Sequence, residues 1–256
     1  MSTVPRILVP LPAVGFDPTE CAVPWQRLTA AGIEMHFATP ACRPAAADPR
    51  MVTGEDLGLW APILRANGHG RAAYASLLAD SRFLAPLSHD AAHAADFDAL
   101  MLPGGHAPGM KVYLESAHLQ SLVAKFFASG KPVAAICHGV LLAARARRAD
   151  GRSVLHGRRT TALPEWMELS AWRLTRNRLG DYYRTYPVTV QQEVSAALAG
   201  PDDFIVGPHW SPRGFLRDTP DHTALGFTVR DGNYLSARWP GDAHRFADEL
   251  LEMLRR

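Results

Sequence analysis

Apolar residues along the chain fall into short uninterrupted runs that suit buried strands and longer stretches with helical spacing, and their order predicts an α/β protein. Residues 7–10 (ILVP) read as a strand, and GFDPTE at residues 15–20 reads as a turn that opens a helix. Pro18 suits the first helical turn, and Glu20 places a negative charge near the N-terminus, where the helix dipole favours it. The helix is expected to run to about Ala31 and to stop at Gly32. Residues 33–39 (IEMHFAT) follow as a strand and complete a β-α-β start to a parallel sheet.

Residues 40–96 break this rhythm, being rich in Ala and Pro, with helix predicted around residues 57–79. They are expected to form an insertion, either a cap over the sheet edge or a plain surface excursion. The rhythm resumes with a strand at 99–102, the loop PGGHAPGM, a helix over 116–129 and a buried strand at 131–136 (KPVAAI). That strand delivers Cys137 directly into HGVLLAARA, a run of good helix formers. Beyond a basic turn, a brief strand is predicted at 159–162 and a helix at 164–176. The aromatic segment 179–190 (LGDYYRTYPVTV) reads as irregular, lying over something rather than inside it. Strands at 204–206, 224–230 and 234–237 follow, the last two joined by the turn Asp231-Gly232-Asn233, and residues 241–256 close the chain as an amphipathic helix. With no internal repeat and no low-complexity linker, one domain over residues 1–256 is expected.

A chain of 256 residues with 47% hydrophobic content can bury the core of one large domain. Lys and Arg number 27 against 25 acidic residues, and the basic side chains are scattered except over residues 145–159, which read as a solvated loop. Nucleic acid is therefore not an expected partner. No run approaches the roughly 18 apolar residues of a membrane span, and the N-terminus lacks the layout of a signal peptide, so a cytoplasmic protein is expected. The three cysteines, Cys21, Cys42 and Cys137, make an odd and sparse set without CxxC spacing, and no HExxH occurs. His36, His69, His89 and His93 do not have the spacing of a defined metal site, so neither metal nor cofactor is expected. Cysteine chemistry here would be nucleophilic.

Cys137 lies between a buried strand and a helix start, at the carboxyl edge of a parallel sheet, where open α/β proteins place their sites. There the helix N-terminus favours thiolate and backbone N–H groups lie within reach of a developing oxyanion. From local sequence alone Cys137 is equally a small buried hydrophobe. Adjacency on a helix start does not make His138 face the cysteine, so their pairing is a question of geometry.

Three segments taken together change this reading. AICHGV, preceded by LMLPGGHAPG and by GFDPTE, resembles the ThiJ/PfpI superfamily of class I glutamine amidotransferase-like proteins, in that order and over most of the chain. The resemblance implies a flavodoxin-like, doubly wound, mostly parallel sheet with helices on both faces. It implies Cys137 as nucleophile, His138 as its neighbour in catalysis, and Glu20 as a protonated acid on the cysteine sulfur that supports a low-pKa thiolate. Gly104 and Gly105 would supply oxyanion amides together with the main chain of His138. His106 becomes a substrate-binding candidate, although members with that histidine often continue with Gly where this chain has Ala107 and Pro108. A third acid would come from Glu165 or Glu168, of which Glu168 has the better spacing from the elbow. The implied activity is a cofactor-independent glyoxalase III-like or deglycase-like reaction on methylglyoxal or related small α-oxoaldehydes. An amidase, peptidase or isocyanide hydratase using the same cysteine, and a stress-response chaperone or redox sensor, are the alternatives. A homodimer is the default assembly. Tyr182, Tyr183 and Tyr186 depart from the smaller members, and YLSARWPGDAH near the C-terminus has no chemical role assigned.

Overall fold

The Val-, Ile- and Leu-rich runs become the central strands of a seven-stranded sheet in the computed structural model, which describes residues 4–208 and 215–255. The strands are β1 (Arg6–Pro10), β2 (Val14–Phe16), β3 (Glu34–Thr39), β4 (Ala46–Ala47), β5 (Leu87–Ser88), β6 (Ala99–Leu102), β7 (Val133–Ile136), β8 (Thr228–Asp231) and β9 (Tyr234–Ala237). The helices are α1 (Pro18–Ala30), α2 (Pro49–Thr53), α3 (Ala61–Leu64), α4 (Gly68–Leu77), α5 (Ser81–Leu84) and α6 (Lys111–Leu114). They continue with α7 (Ala117–Ala128), α8 (Gly139–Arg145), α9 (Glu165–Leu179), α10 (Val190–Ala197) and α11 (Ala243–Leu254). The sheet order is β5-β3-β1-β6-β7-β9-β8, parallel except for the β8–β9 hairpin, and β2 pairs separately with β4. This is the flavodoxin-like α/β arrangement. From β1 the chain winds outward through β3 in one direction and through β6, β7 and β9 in the other, so the direction reverses between β1 and β6. Completely buried residues such as Leu8, Leu100, Met101 and Ala135 explain why these strands read as continuous apolar runs. Helix α1 packs against α4 and α11, while α8 packs against α7 and α10.

Several boundaries differ from expectation for local reasons. The helix expected over 57–79 breaks into a 3-10 turn at Gly58–Trp60, then α3 and α4, because Arg65 is extended and Asn67 caps α4 by accepting the Gly70 amide at 2.9 Å. Residues 40–96 are also more than a surface excursion: they supply β5 as an edge strand beside β3 and α4 as a neighbour of α1. The strands expected at 159–162 and 204–206 reduce to one parallel bridge, Thr160 to Phe204. Helix α10 begins within the region expected to be irregular, set by a capping box between Thr189 and Gln192. In the β8–β9 hairpin Gly232 supplies the positive φ that the two-residue turn requires. Arg145, read as part of a solvated loop, instead grips Glu193 through two hydrogen bonds of 2.6 and 2.9 Å. Of the closing helix and the N-terminal stretch, Arg256 and residues 1–3 lie outside the described residues. No described helix is long and apolar enough to cross a membrane.

The unassigned YLSARWPGDAH segment contains a fully buried ion pair. Arg238 donates to both carboxylate oxygens of Asp242, from Nε at 2.9 Å and Nη2 at 2.7 Å, and Asp242 also accepts the Arg238 and Phe227 amides. It ties the end of β9 to the start of α11. Removing one partner of such a pair strands the other charge, so Asp242→Ala is expected to cost about 3–5 kcal/mol of stability. Chemical denaturation of Asp242→Ala and of the doubly apolar Arg238→Met/Asp242→Leu chain checks this. The double variant should recover much of the loss, whereas equal destabilisation of both would contradict the assignment.

Candidate active site

The reversal point of the sheet gathers three segments that lie far apart in sequence. The loop after β1 leads into α1 and brings Glu20, the loop after β6 brings Gly104 to His106, and β7 ends at Cys137. Cys137 occupies the left-handed region at φ +57°, a conformation that costs a non-glycine residue about 1–3 kcal/mol and persists only where its surroundings impose it. Two glycines make the turn fit. A Cβ on Gly139 would lie 2.1 Å from the Leu102 carbonyl oxygen, and one on Gly104 would lie 2.7 Å from the His138 amide nitrogen. The elbow is therefore pressed against the end of β6 at van der Waals limits, and its side chain is turned into the site.

Cys137 Sγ lies 3.5 Å from His138 Nδ1, and His138 Nε2 lies 3.2 Å from Thr185 Oγ1. The Thr185 hydroxyl donates its one proton to the His106 carbonyl at 2.8 Å, so it accepts from His138 and fixes the Nε2–H tautomer. The Nδ1 lone pair is thereby presented to the Cys137 thiol. Burial pushes the His138 pKa down to about 3, with the His106 and Arg145 charges acting in the same direction, so the imidazole is neutral near pH 7.

Glu20 is completely buried, and one carboxyl oxygen accepts the Gly104 amide at 2.8 Å. The other has no hydrogen bond of good geometry, and the Cys137 thiol is the side chain with which the carboxyl interacts. Burial, reinforced by Asp17, raises the Glu20 pKa well above the carboxylate range and keeps it protonated. Asp17, which caps α1 by accepting the Thr19 and Glu20 amides, is pushed up by burial to about 6. Burial likewise holds the Cys137 thiol well above its ordinary pKa, with Asp17 adding to the effect and the His138 amide opposing it. Burial thus works against the low-pKa thiolate that the resemblance implied.

The remaining expected residues divide. The Gly104 amide is committed to Glu20, which leaves the amides of Gly105, at φ +146°, and His138 for an oxyanion. His106 stacks on Tyr183 with ring centroids 4.1 Å apart, and its Nε2 lies 3.6 Å from Asp48 Oδ2. Glu168 is not brought to His138. Its carboxylate accepts the Val190 amide at 2.9 Å and faces Arg184 at 3.5 Å, while Glu165 accepts from Gln192. Those partners fix how α9 meets the segment that leads into α10, so the spacing that suggested a triad acid reflects helix packing. Thr185, Asp48 and Tyr183 were missed as site residues. They come from the aromatic segment and from residues 40–96, and no spacing in the sequence marks them. Tyr183 packs with Met51 and Leu57 in a small apolar cluster, which joins the insertion to the aromatic segment beside the site.

With this geometry in place, the description of the ThiJ/PfpI family-like proteins matches residues 11–208. The chain belongs to the ThiJ/PfpI family. It is similar to a deglycase of Thermococcus kodakarensis, 28% identical over 211 residues that cover 78% of this chain and 93% of that protein. A deglycase of Pyrococcus abyssi is 41% identical over 162 residues, covering 62% of this chain and 64% of the relative. Glyoxalase III from Candida albicans shares the fold at a TM-score of 0.63, with 18% identity and 97% of each chain covered.

A protonated, buried Glu20 has a stability signature. Its folded pKa lies above its unfolded value, so its contribution is full at low pH and is lost as pH rises from about 4.5 toward the folded pKa. Glu20→Gln removes that dependence. Its thermal midpoint relative to the unsubstituted protein should therefore rise between pH 5 and pH 8. A difference that stays constant over this range would contradict a neutral Glu20.

Proposed function

We propose that this chain is a cofactor-independent, cysteine-dependent enzyme that converts methylglyoxal-like α-oxoaldehydes into hydroxy acids. The observation that carries the reading is a neutral imidazole whose Nδ1 faces the Cys137 thiol at 3.5 Å beside a protonated carboxyl. The deglycase relatives support the same class of chemistry. As the sulfur attacks the aldehyde carbon, the S–H proton passes to His138 Nδ1 and the carbonyl oxygen takes the proton of Glu20, giving a hemithioacetal. The Glu20 carboxylate then removes the hydrogen from that carbon while His138 protonates the neighbouring ketone oxygen, giving an enediol. Glu20 returns its proton to the second carbon, and His138 takes the proton from the first hydroxyl, leaving a thioester. Water breaks the C–S bond, its proton restores Glu20, the sulfur recovers its proton from His138, and lactate chemistry is complete with one water consumed. General-base assistance during attack means that no free thiolate has to accumulate, in keeping with the raised pKa of Cys137.

Thr185 takes the position that the triad acid was expected to fill, as a positioning residue for His138. In this reading the chain works as a single domain with residues 40–96 as its insertion and in the cytoplasm, as the sequence pattern suggests, and as a homodimer, as the family resemblance implies. The redox-sensor alternative requires a low-pKa, accessible thiol, and the burial of Cys137 works against it. Small amides and isocyanides assayed beside methylglyoxal separate the hydrolase alternative.

Substitutions at two positions test the reaction. Cys137→Ala should abolish lactate formation from methylglyoxal without added glutathione, and unchanged turnover would sink the proposal. Thr185→Val should lower kcat roughly 10²-fold with little change in KM, because the tautomer that general-base catalysis needs is no longer fixed. Thr185→Ser should restore most of the rate. Equal losses for Val and Ser would assign Thr185 a packing role only.

A further inference from the structure

The last rung of the β7–β9 ladder is made by the nucleophile itself. Ile136 pairs with Ala237, and the Cys137 amide donates to the Ala237 carbonyl at 3.1 Å. Cys137 is left-handed at φ +57°, so whatever fixes that carbonyl also fixes where the strained turn begins. One carboxylate clamps Ala237 from two directions. On its own strand the next residue, Arg238, gives Asp242 Oδ2 both its amide, at 3.1 Å, and its Nε, at 2.9 Å. Across the hairpin Thr228 pairs with Ala237, and the Phe227 amide just before it donates to Asp242 Oδ1 at 2.9 Å. Arg238 Nη2 donates to the same oxygen at 2.7 Å, and Nη1 reaches the Pro208 carbonyl at 3.4 Å. Each oxygen of Asp242 thus accepts two hydrogen bonds.

Stability alone does not account for this arrangement. Taking two charges out of water costs about as much as their attraction returns, and well-packed apolar side chains of similar volume hold a fold together at least as well. Apolar packing does not supply direction. A carboxylate with four donors in fixed places, two of them on a planar guanidinium fork, admits one geometry. We propose that Asp242 and Arg238 are positioning residues for Cys137. Their pairing holds Ala237 so that the ladder bond sets the left-handed elbow and aims the thiol at His138. The catalytic consequence rests on the reaction proposed above: a displaced thiol lowers kcat and leaves substrate binding alone.

Arg238→Met/Asp242→Leu separates position from stability, because it removes the directional bonds and keeps the volume. Site-resolved amide hydrogen exchange by NMR reads the ladder bond without turnover. The Cys137 amide should exchange about tenfold faster in the double variant, on the scale of one lost hydrogen bond. The Leu100 amide, bonded to the Pro132 carbonyl at 3.0 Å, should keep its protection. Unchanged protection of Cys137, or equal losses at Cys137 and Leu100, would overturn the proposal. With methylglyoxal, kcat should fall roughly 10²-fold while KM stays nearly constant, as expected for a misplaced reacting group. An unchanged kcat would overturn the positioning role. Should the double variant not fold, Arg238→Lys decides, since it keeps the charge without the fork. It should show both changes at smaller size, and exchange and kcat equal to those of the unsubstituted protein would overturn the proposal. If the unsubstituted protein makes no lactate while the variant still loses protection at Cys137, the positioning role stands and the reaction falls, so the two failures are distinct.

Discussion

The left-handed backbone at Cys137 is the constraint on which the rest of the site depends. A residue at φ +57° between β7 and α8 can exist only if its neighbours hold it there, and here they do so by close backbone contact. Gly139 lies under the Leu102 carbonyl, Gly104 lies against the His138 amide, and the Cys137 amide is anchored to the Ala237 carbonyl at 3.1 Å. The same turn that strains Cys137 points its thiol at His138 and Glu20. Strain at the elbow and order in the site are thus one feature seen from two sides.

Burial then sets the protonation states. The three groups at the centre are each shifted toward their neutral form, Cys137 and Glu20 upward and His138 downward. A buried site whose three central groups are neutral at rest can still move protons, because each transfer creates an ion pair whose attraction is strong in low dielectric. The chain from Cys137 through His138 and Thr185 to the His106 carbonyl gives those transfers a direction. It also links the elbow to the aromatic segment, whose Tyr186 hydroxyl contacts Arg145 and Glu115. That segment lies over the site, as its composition suggested.

Much of this was legible in the sequence where the chain repeats a simple physical pattern. Strands β1, β6 and β7 stand out because they are buried on both faces, and Glu20, Gly104 and Cys137 follow them at loop positions that the parallel topology brings together. The rest depends on contacts without a sequence period. Thr185 reaches His138 from 47 positions away, and Tyr183 of the same segment stacks on His106. Glu168 shows the converse. Its spacing suited a triad, but the Val190 amide and Arg184 claim its carboxylate. Arg238 and Asp242, four residues apart in a segment to which the sequence assigned no role, form an ion pair that tertiary packing buries. Local pattern encodes the scaffold, while the ionic and hydrogen-bonded partners are selected by three-dimensional proximity.

The tautomer and charge of His138 carry the whole account. Nitrogen-15 NMR of histidine-labelled protein, with His138 assigned by substitution, reads both directly. The account predicts an Nε2–H neutral imidazole that does not titrate between pH 5 and pH 8. An Nδ1–H tautomer, or titration near the ordinary histidine pKa of about 6.5, would contradict it.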